Sequence, residues 1–214
     1  LYENGMVSAS GHGADGILGD GQSSTKYIHL ALSFYDNSGT ELTGANYPKI
    51  TQMHIGSAHT MDTTTNDFND CNYFLSTEGK LYRFGYNSYG QLGDGTTSAN
   101  YYNREMPMSL FGGEKIVYIT GTGYQYGCMY AITETGKLWG WGRNADGQLG
   151  LGNTTQQTTP QHITGVSGSL LENKKVVHVI SSQRGNDITR TWVLTTEGIV
   201  YFMGQRESHG ICCG

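Results

Sequence analysis

Apolar positions along this chain come in short alternating bursts. The segments "KLYRFG" (80–85), "KLWGWG" (137–142) and "IVYFMG" (199–204) carry apolar side chains in a two-residue period, that of a β-strand with one buried face. Each follows a denser apolar stretch, "NYFLSTEG", "MYAITETG" or "TWVLTTEG", which ends in a tight turn where glycine supplies the positive φ. Strand, turn and strand make a hairpin. A further apolar run stands ahead of each hairpin, in "YPKITQMHIG", "EKIVYITGTG" and "NKKVVHVISS", and residues 27–44 add an extra alternating strand and turn. No stretch holds a 3.6-residue period beyond two turns. The pattern predicts an all-β fold with three or four short strands per unit.

The hairpin recurs. Copies run over residues 4–21, 71–95, 128–152 and 190–214, and recurrence at so long a period marks a repeat architecture. Gly79, Gly85, Gly90, Gly93 and Gly95 match Gly136, Gly142, Gly147, Gly150 and Gly152 at identical spacing, as do Gly5, Gly11, Gly16, Gly19 and Gly21. The fourth copy keeps Gly198 and Gly204 and slips by one residue at Gly210. A shared glycine frame implies a structural role for Gly79, Gly85, Gly90, Gly93, Gly136, Gly142, Gly147 and Gly150. Pro107 and Pro160, each shortly after a glycine cluster, are expected where one unit ends and the next begins. The recurring acids Glu78, Glu134 and Glu197 read as solvated turn residues.

The strings "FLSTEGKLYRFGYNSYGQLGDG" and "AITETGKLWGWGRNADGQLGLG" resemble the RCC1 family of seven-bladed β-propellers, whose repeat runs from a strand through an aromatic-glycine pair to Gly-Gln-Leu-Gly. The outer copies depart from that pattern, with "GILG" in the first and "GICCG" in the last; the family's small-residue-plus-His segment survives once, in "IGSAHT". The resemblance implies one RCC1-like segment over 1–214, about three and a half blades of antiparallel sheet. Such a segment belongs to a larger or assembled propeller, its ring completed by missing sequence, another subunit or atypical blades. An open, solenoid-like stack is the alternative.

Composition narrows the function. The chain has 32 glycines, 15 tyrosines and only 14% charged residues, against ~25% charged in an average domain. That balance leans toward an extracellular or virion surface, with a cytoplasmic setting as the alternative. A net charge of −5 speaks against nucleic acid, whose binders carry a basic stripe. No apolar run approaches the ~18 residues of a membrane span, so membrane insertion is not expected. No signal peptide is visible, and Leu1 in place of Met fits a processed chain or part of a longer one.

Catalytic patterns fail one by one. There is no nucleophile elbow, and the glycine loops lack the Lys-Ser/Thr of a phosphate loop. His12 and Asp15 lie on the repeat's own glycine frame. Asn66, Asp67, Asn69 and Asp70 offer oxygen ligands without the spacing of a calcium loop. Cys71, Cys128, Cys212 and Cys213 form no C-x-x-C pair; free thiols are the simpler reading, although Cys71 and Cys128 hold equivalent positions in successive units. No cofactor and no metal are expected. Tyrosines remain: Tyr86, Tyr89, Tyr101 and Tyr102 in and after one loop expected to join blades, and Tyr124 and Tyr126 in "GTGYQYG". Tyrosine gives rigid, amphipathic contact area at small entropic cost. The expected function is therefore non-catalytic recognition of a protein or glycan by a structural protein of a phage tail or fibre, or of a bacterial surface. A nucleotide-exchange-factor-like protein and a secreted enzyme inhibitor are the alternatives implied by the resemblance.

Overall fold

A computed structural model of the chain describes residues 6–11, 26–55, 71–122, 127–184 and 188–204. Among these residues the fold is all-β, with three short 3-10 turns at Gly44–Asn46, Met108–Phe111 and Ile163–Gly165. Two blades are complete. Blade one holds β5 (Ile50–Ile55), β6 (Cys71–Ser76), β7 (Leu81–Gly85) and β8 (Asn100–Glu105); blade two holds β9 (Ile116–Gly121), β10 (Cys128–Thr133), β11 (Leu138–Gly142) and β12 (Gln157–His162). Each is an antiparallel meander in chain order. Blade three has β13 (Val176–Arg184), β14 (Ile188–Thr195) and β15 (Val200–Gly204). Ahead of blade one, β1 (Ser8–Gly11) pairs with β2 (Lys26–Ala31), and a small hairpin, β3 (Phe34–Tyr35) with β4 (Glu41–Leu42), follows.

The central hairpins form for local reasons. In blade one the Gly79 N–H donates to Ser76 O at 3.0 Å and the Ser76 N–H to Lys80 O at 3.0 Å, with Gly79 at φ 79°. That φ is where a Cβ is costly and glycine is not. The fourth strand always enters in the same register. Gly11 pairs with Lys26, Gly85 with Asn100 and Gly142 with Gln157, each 15 positions further on. The sequence pattern allows three or four strands per unit; the complete blades have four.

Pro160 corrects an expectation. It lies inside β12 and not between units. Among the described residues β12 is the outer strand of its sheet and pairs only with β11, and an edge strand is where proline's missing N–H breaks no ladder. Pro107, by contrast, does sit outside a strand, just before the 3-10 turn Met108–Phe111.

The core is laid down between sheets. Tyr73, Leu75 and Leu81 of blade one pack on Ile116, Ile119, Met129, Ala131 and Trp141 of blade two, with Leu92, Met106 and Phe111 closing the cluster. Tyr130, Ile132 and Leu138 on the other side of blade two pack on Val176, Val179, Val193 and Met203 of blade three. A third cluster joins Val7, Leu32 and Phe34 to Ile50, Phe74, Tyr82 and Phe84. Both faces of a middle sheet are thus buried, which is why its strands read as dense apolar runs as well as alternation. The first strands β5, β9 and β13 are neighbours. Gln52 on β5 clamps β9 there, its Nε2 donating to Ile119 O at 2.7 Å and its Oε1 accepting from Ile119 N at 3.3 Å.

Candidate recognition surface

The loop that carries Gly-Gln-Leu-Gly is built from two amides the sequence reading did not single out. Asn87 is fully buried. Its Oδ1 accepts from Leu92 N at 2.8 Å, and its Nδ2 donates to Ser98 O at 3.0 Å and Asp94 Oδ1 at 3.2 Å. Gln91, also fully buried, accepts from Tyr89 N through Oε1 at 2.8 Å. Blade two repeats the design: Asn144 Oδ1 accepts from Leu149 N at 3.0 Å and Gln148 Oε1 from Asp146 N at 2.9 Å. The signal was available, since the same Asn and Gln stand at the same spacing in both close copies.

The loop is then bolted to the core. Tyr73 donates from its hydroxyl to Gln91 O at 2.5 Å, and Trp141 Nε1 of the next blade is 3.0 Å from both that hydroxyl and that carbonyl. In blade two the Tyr130 hydroxyl donates to Gln148 O at 2.8 Å and stands 2.9 Å from Thr191 Oγ1 of blade three. Burial holds both phenols above the usual tyrosine range, so they remain hydrogen-bond donors across the physiological range.

This loop joins β7 to β8 and so lies within one blade. The expectation that it connects two blades is corrected: the repeat places its fourth strand after the glycine cluster. Tyr86 and Tyr89 are half-buried in the loop. Tyr101 and Tyr102 are exposed on β8, at 39% and 43%. The Gly85–Asn100 pair brings Tyr86 and Tyr101 to the same end of the β7–β8 ladder. Asn100 latches the strand onto itself, its Nδ2 donating to Tyr102 O at 2.9 Å and its Oδ1 accepting from Tyr102 N at 3.2 Å.

Arg83 anchors the same strand from behind. It is 5% exposed, and its Nη1 donates to Arg104 O at 3.0 Å and Glu105 O at 3.2 Å. Burial lowers its pKa from the ordinary arginine value. The structure adds one tyrosine to the group: β3 lies parallel to β8 with Tyr35 opposite Arg104, and the Tyr35 and Tyr102 rings meet edge-on at 5.4 Å. No local signal predicts a pairing between positions so far apart in sequence. Tyr124 and Tyr126 lie outside the described residues, as do His12, Asp15, Asn66, Asp67, Asn69, Asp70, Cys212, Cys213 and "GSAHT" (56–60).

Among the described residues no three His, Cys, Asp or Glu side chains gather as metal ligands, and no helix is long and apolar enough to cross a membrane. The site is a set of aromatic rings on a braced outer strand. Cys71 and Cys128 are buried with separate sulfurs: Cys71 Sγ is 3.9 Å from Met129 Sδ, and Cys128 Sγ is 3.4 Å from the Tyr130 hydroxyl.

Tandem four-stranded sheets stacked face to face, each sealed by the next, define a segment of a β-propeller. The Regulator of chromosome condensation (RCC1) repeat matches the chain twice, at residues 78–128 and 135–185. The chain thus carries two RCC1-type repeats. It is 28% identical over 169 residues to the ultraviolet-B receptor UVR8 of Arabidopsis thaliana, covering 78% of this chain and 32% of the receptor. It is 32% identical over 143 residues to the E3 ubiquitin-protein ligase HERC2 of Mus musculus, covering 64% of this chain and 3% of the ligase. Among solved structures, Prp20p of Saccharomyces cerevisiae superposes with a TM-score of 0.63 at 16% identity, over 96% of this chain and 42% of that one. Human WBSCR16 gives 0.62 at 20% identity, over 95% and 44%. The chain therefore spans a third or less of these relatives and under half of these solved chains. Each matched repeat starts at a hairpin turn and ends in the next sheet, so a sequence repeat bridges two blades.

Proposed function

We propose that the chain is a non-catalytic recognition module that binds a protein through the tyrosine-bearing outer strand of blade one. One observation carries the reading: Tyr101 and Tyr102 are successive exposed residues of β8, which puts an aromatic ring on each face of a strand held by Arg83 and Asn100. Rigid aromatic rings on a preorganised strand lose little entropy on binding. A protein is favoured over a glycan because the structural neighbour Prp20p is described with binding to Gsp1p and histones. An exchange-factor role fits the −5 net charge less well. The virion or bacterial-surface setting rests on composition, the low charge and abundant tyrosine.

The test pairs Tyr101→Ser/Tyr102→Ser with the wild-type chain in affinity capture from the source organism, followed by titration of the captured protein. The reading expects unchanged circular dichroism and at least a tenfold loss of affinity, which is about 1.4 kcal/mol. Equal affinity in the double variant would move the site elsewhere. Capture of a glycan instead of a protein would overturn the choice of partner.

A further inference from the structure

Two arginines oppose each other across the outer ladder of blade one. The register sets Arg83 of β7 directly against Arg104 of β8, so both side chains leave the same face of the sheet. Arg83 is 5% exposed and Arg104 is half-buried. Like charges in opposed positions destabilise a sheet, and a buried charge is ordinarily paired. These two are not. Among the described residues no carboxylate is in ion-pair contact with either guanidinium, whereas Lys80, Lys137, Arg143 and Lys174 each hold one. Arg83 Nη1 reaches only the neutral main-chain carbonyls of Arg104 and Glu105. The Nε atoms of both arginines are buried without a hydrogen-bond partner among the described residues.

The local acids are committed elsewhere. The β3–β4 hairpin and the chain from β7 to β8 contain Asp36, Glu41, Asp94 and Glu105. Asp36 Oδ1 accepts from Ser38 Oγ at 2.7 Å and Thr40 N at 2.8 Å, and Glu41 Oε1 from Ser33 Oγ at 2.6 Å. Glu105 pairs with Lys80 at 3.4 Å. Asp94, whose field reaches Arg83, accepts from Thr96 N at 2.9 Å and Asn87 Nδ2 at 3.2 Å. Nor does the repeat itself call for the pair. In the same register blade two sets Gly140 against Gln161, and blade three has Phe202 where blade one has Arg83. Two phenol rings share the arginine face, because Tyr35 lies opposite Arg104 and Tyr102 two positions before it; they meet at 5.4 Å. A Cβ on Gly39 would stand 3.3 Å from Arg104 Nη2, which sets that guanidinium against the β3–β4 turn.

We propose that this face is a carboxylate seat: Arg104, with the buried charge of Arg83 opposite and Tyr35 and Tyr102 beside it, receives an Asp or Glu side chain of the bound protein. The proposal rests on the reading of β8 as the recognition strand and names what the partner must carry there. A guanidinium holds a carboxylate through two parallel N–H···O bonds. The anion meets two cations at once and relieves the repulsion between them, so the strain of the free sheet becomes affinity in the complex. A carboxylate suits a chain of net charge −5 better than a doubly charged phosphate, which meets twice the long-range repulsion.

The probe is a fluorescein-labelled hexaglutamate peptide, titrated by anisotropy at low salt into the 214-residue chain, with a phosphoserine hexapeptide alongside. The proposal expects hexaglutamate to bind, and Arg104→Gln to weaken it at least tenfold. Arg104→Lys keeps the charge and loses the fork, so its loss should be smaller. Arg104→Gln reproduces the Gln161 of blade two, which the fold accepts. Removing the opposed charge should raise the thermal midpoint of the free chain by about 2 °C, where a merely structural arginine would lower it. Equal hexaglutamate affinity in Arg104→Gln overturns the proposal, as does a lowered midpoint or a wild-type chain that does not bind. Tighter binding of the phosphoserine peptide overturns the choice of carboxylate. The protein captured by the wild-type chain separates this proposal from the reading beneath it. If Tyr101→Ser/Tyr102→Ser loses affinity for it and Arg104→Gln does not, the recognition strand stands and the seat falls. The reverse pattern keeps the seat and removes the tyrosines.

Discussion

Gly142→Ala separates the steric part of the glycine frame from its backbone part. Gly142 closes β11 at φ 96°, and a Cβ there would stand 2.6 Å from the carbonyl oxygen of Gly127 and 3.0 Å from Cys128 Cα. Gly147, in the same blade, has φ 68° and open space at its Cβ position. Alanine at either site costs about 1 kcal/mol for the left-handed backbone. Only at Gly142 does the new carbon meet main-chain atoms, which cannot swing aside as a side chain can. Relief requires β10 and β11 to part at the Cys128–Gly142 pair, where Cys128 is fully buried. Losing that end of the ladder and disturbing close packing adds about 2 kcal/mol. Gly147→Ala should therefore cost about 1 kcal/mol and Gly142→Ala about 3 kcal/mol. Urea denaturation followed by tryptophan emission reads both, with matching m-values required for the comparison. Equal midpoints for the two variants would refute the steric argument.

Asn144→Ala removes the acceptor of Leu149 N and the donor to Asn153 O and Thr155 O; leaving buried groups unpaired should cost about 2–3 kcal/mol, and a thermal midpoint matching wild type would show that the loop holds itself. His54 is pushed down to about 4 by burial. The unfolded chain therefore takes up the proton first, so this contribution is complete above pH ~6.5 and is lost as pH falls, by about 2 kcal/mol at pH 5 and about 3 kcal/mol near pH 4. His54→Gln should flatten the urea midpoint between about pH 7 and pH 5 relative to wild type, and identical slopes would remove His54 from the explanation. Cys71 lies in the cluster between blades one and two and Cys128 in the cluster between blades two and three, so the sheet of blade two stands between them. Thiol counting on unfolded, unreduced protein should find all four cysteines free, and two missing thiols mapped to these positions would contradict that geometry.

The glycine frame made the fold legible because a tight turn writes itself locally: Thr-Glu-Gly and Gly-Gln-Leu-Gly each specify their own backbone. The outer strands were harder to see. "NYYNRE" and "QTTPQH" have little apolar alternation, because one edge of each strand faces away from the stacked core and packing does not select its side chains. Asn87 and Gln91 were legible as repeated letters and not as buried brackets, since a polar residue in a glycine-rich loop reads as exposed until its partners are known. Tyr101 and Tyr102 were legible only as members of a cluster with Tyr86 and Tyr89, with nothing to mark them as the exposed pair. That Tyr35 joins them depends on the parallel contact of β3 with β8, a tertiary event without a local signature. Trp192 and Val200 read as core residues yet are exposed in the structure, because only stacking order decides whether a core position is covered.

The claim that the blades form one continuous stack rests on backbone bonds that cross from sheet to sheet. Ile116 N–H to Gly79 O and Val176 N–H to Gly136 O belong to no ladder within a blade, so their protection reports the stacking itself. Native-state hydrogen exchange at these two amides is the most direct test. Stacked blades predict opening free energies close to that of Ala131, in the middle of β10 and fully buried. Exchange as fast as at the exposed loop residue Thr96 would show that the sheets part freely, and would contradict the propeller segment described above.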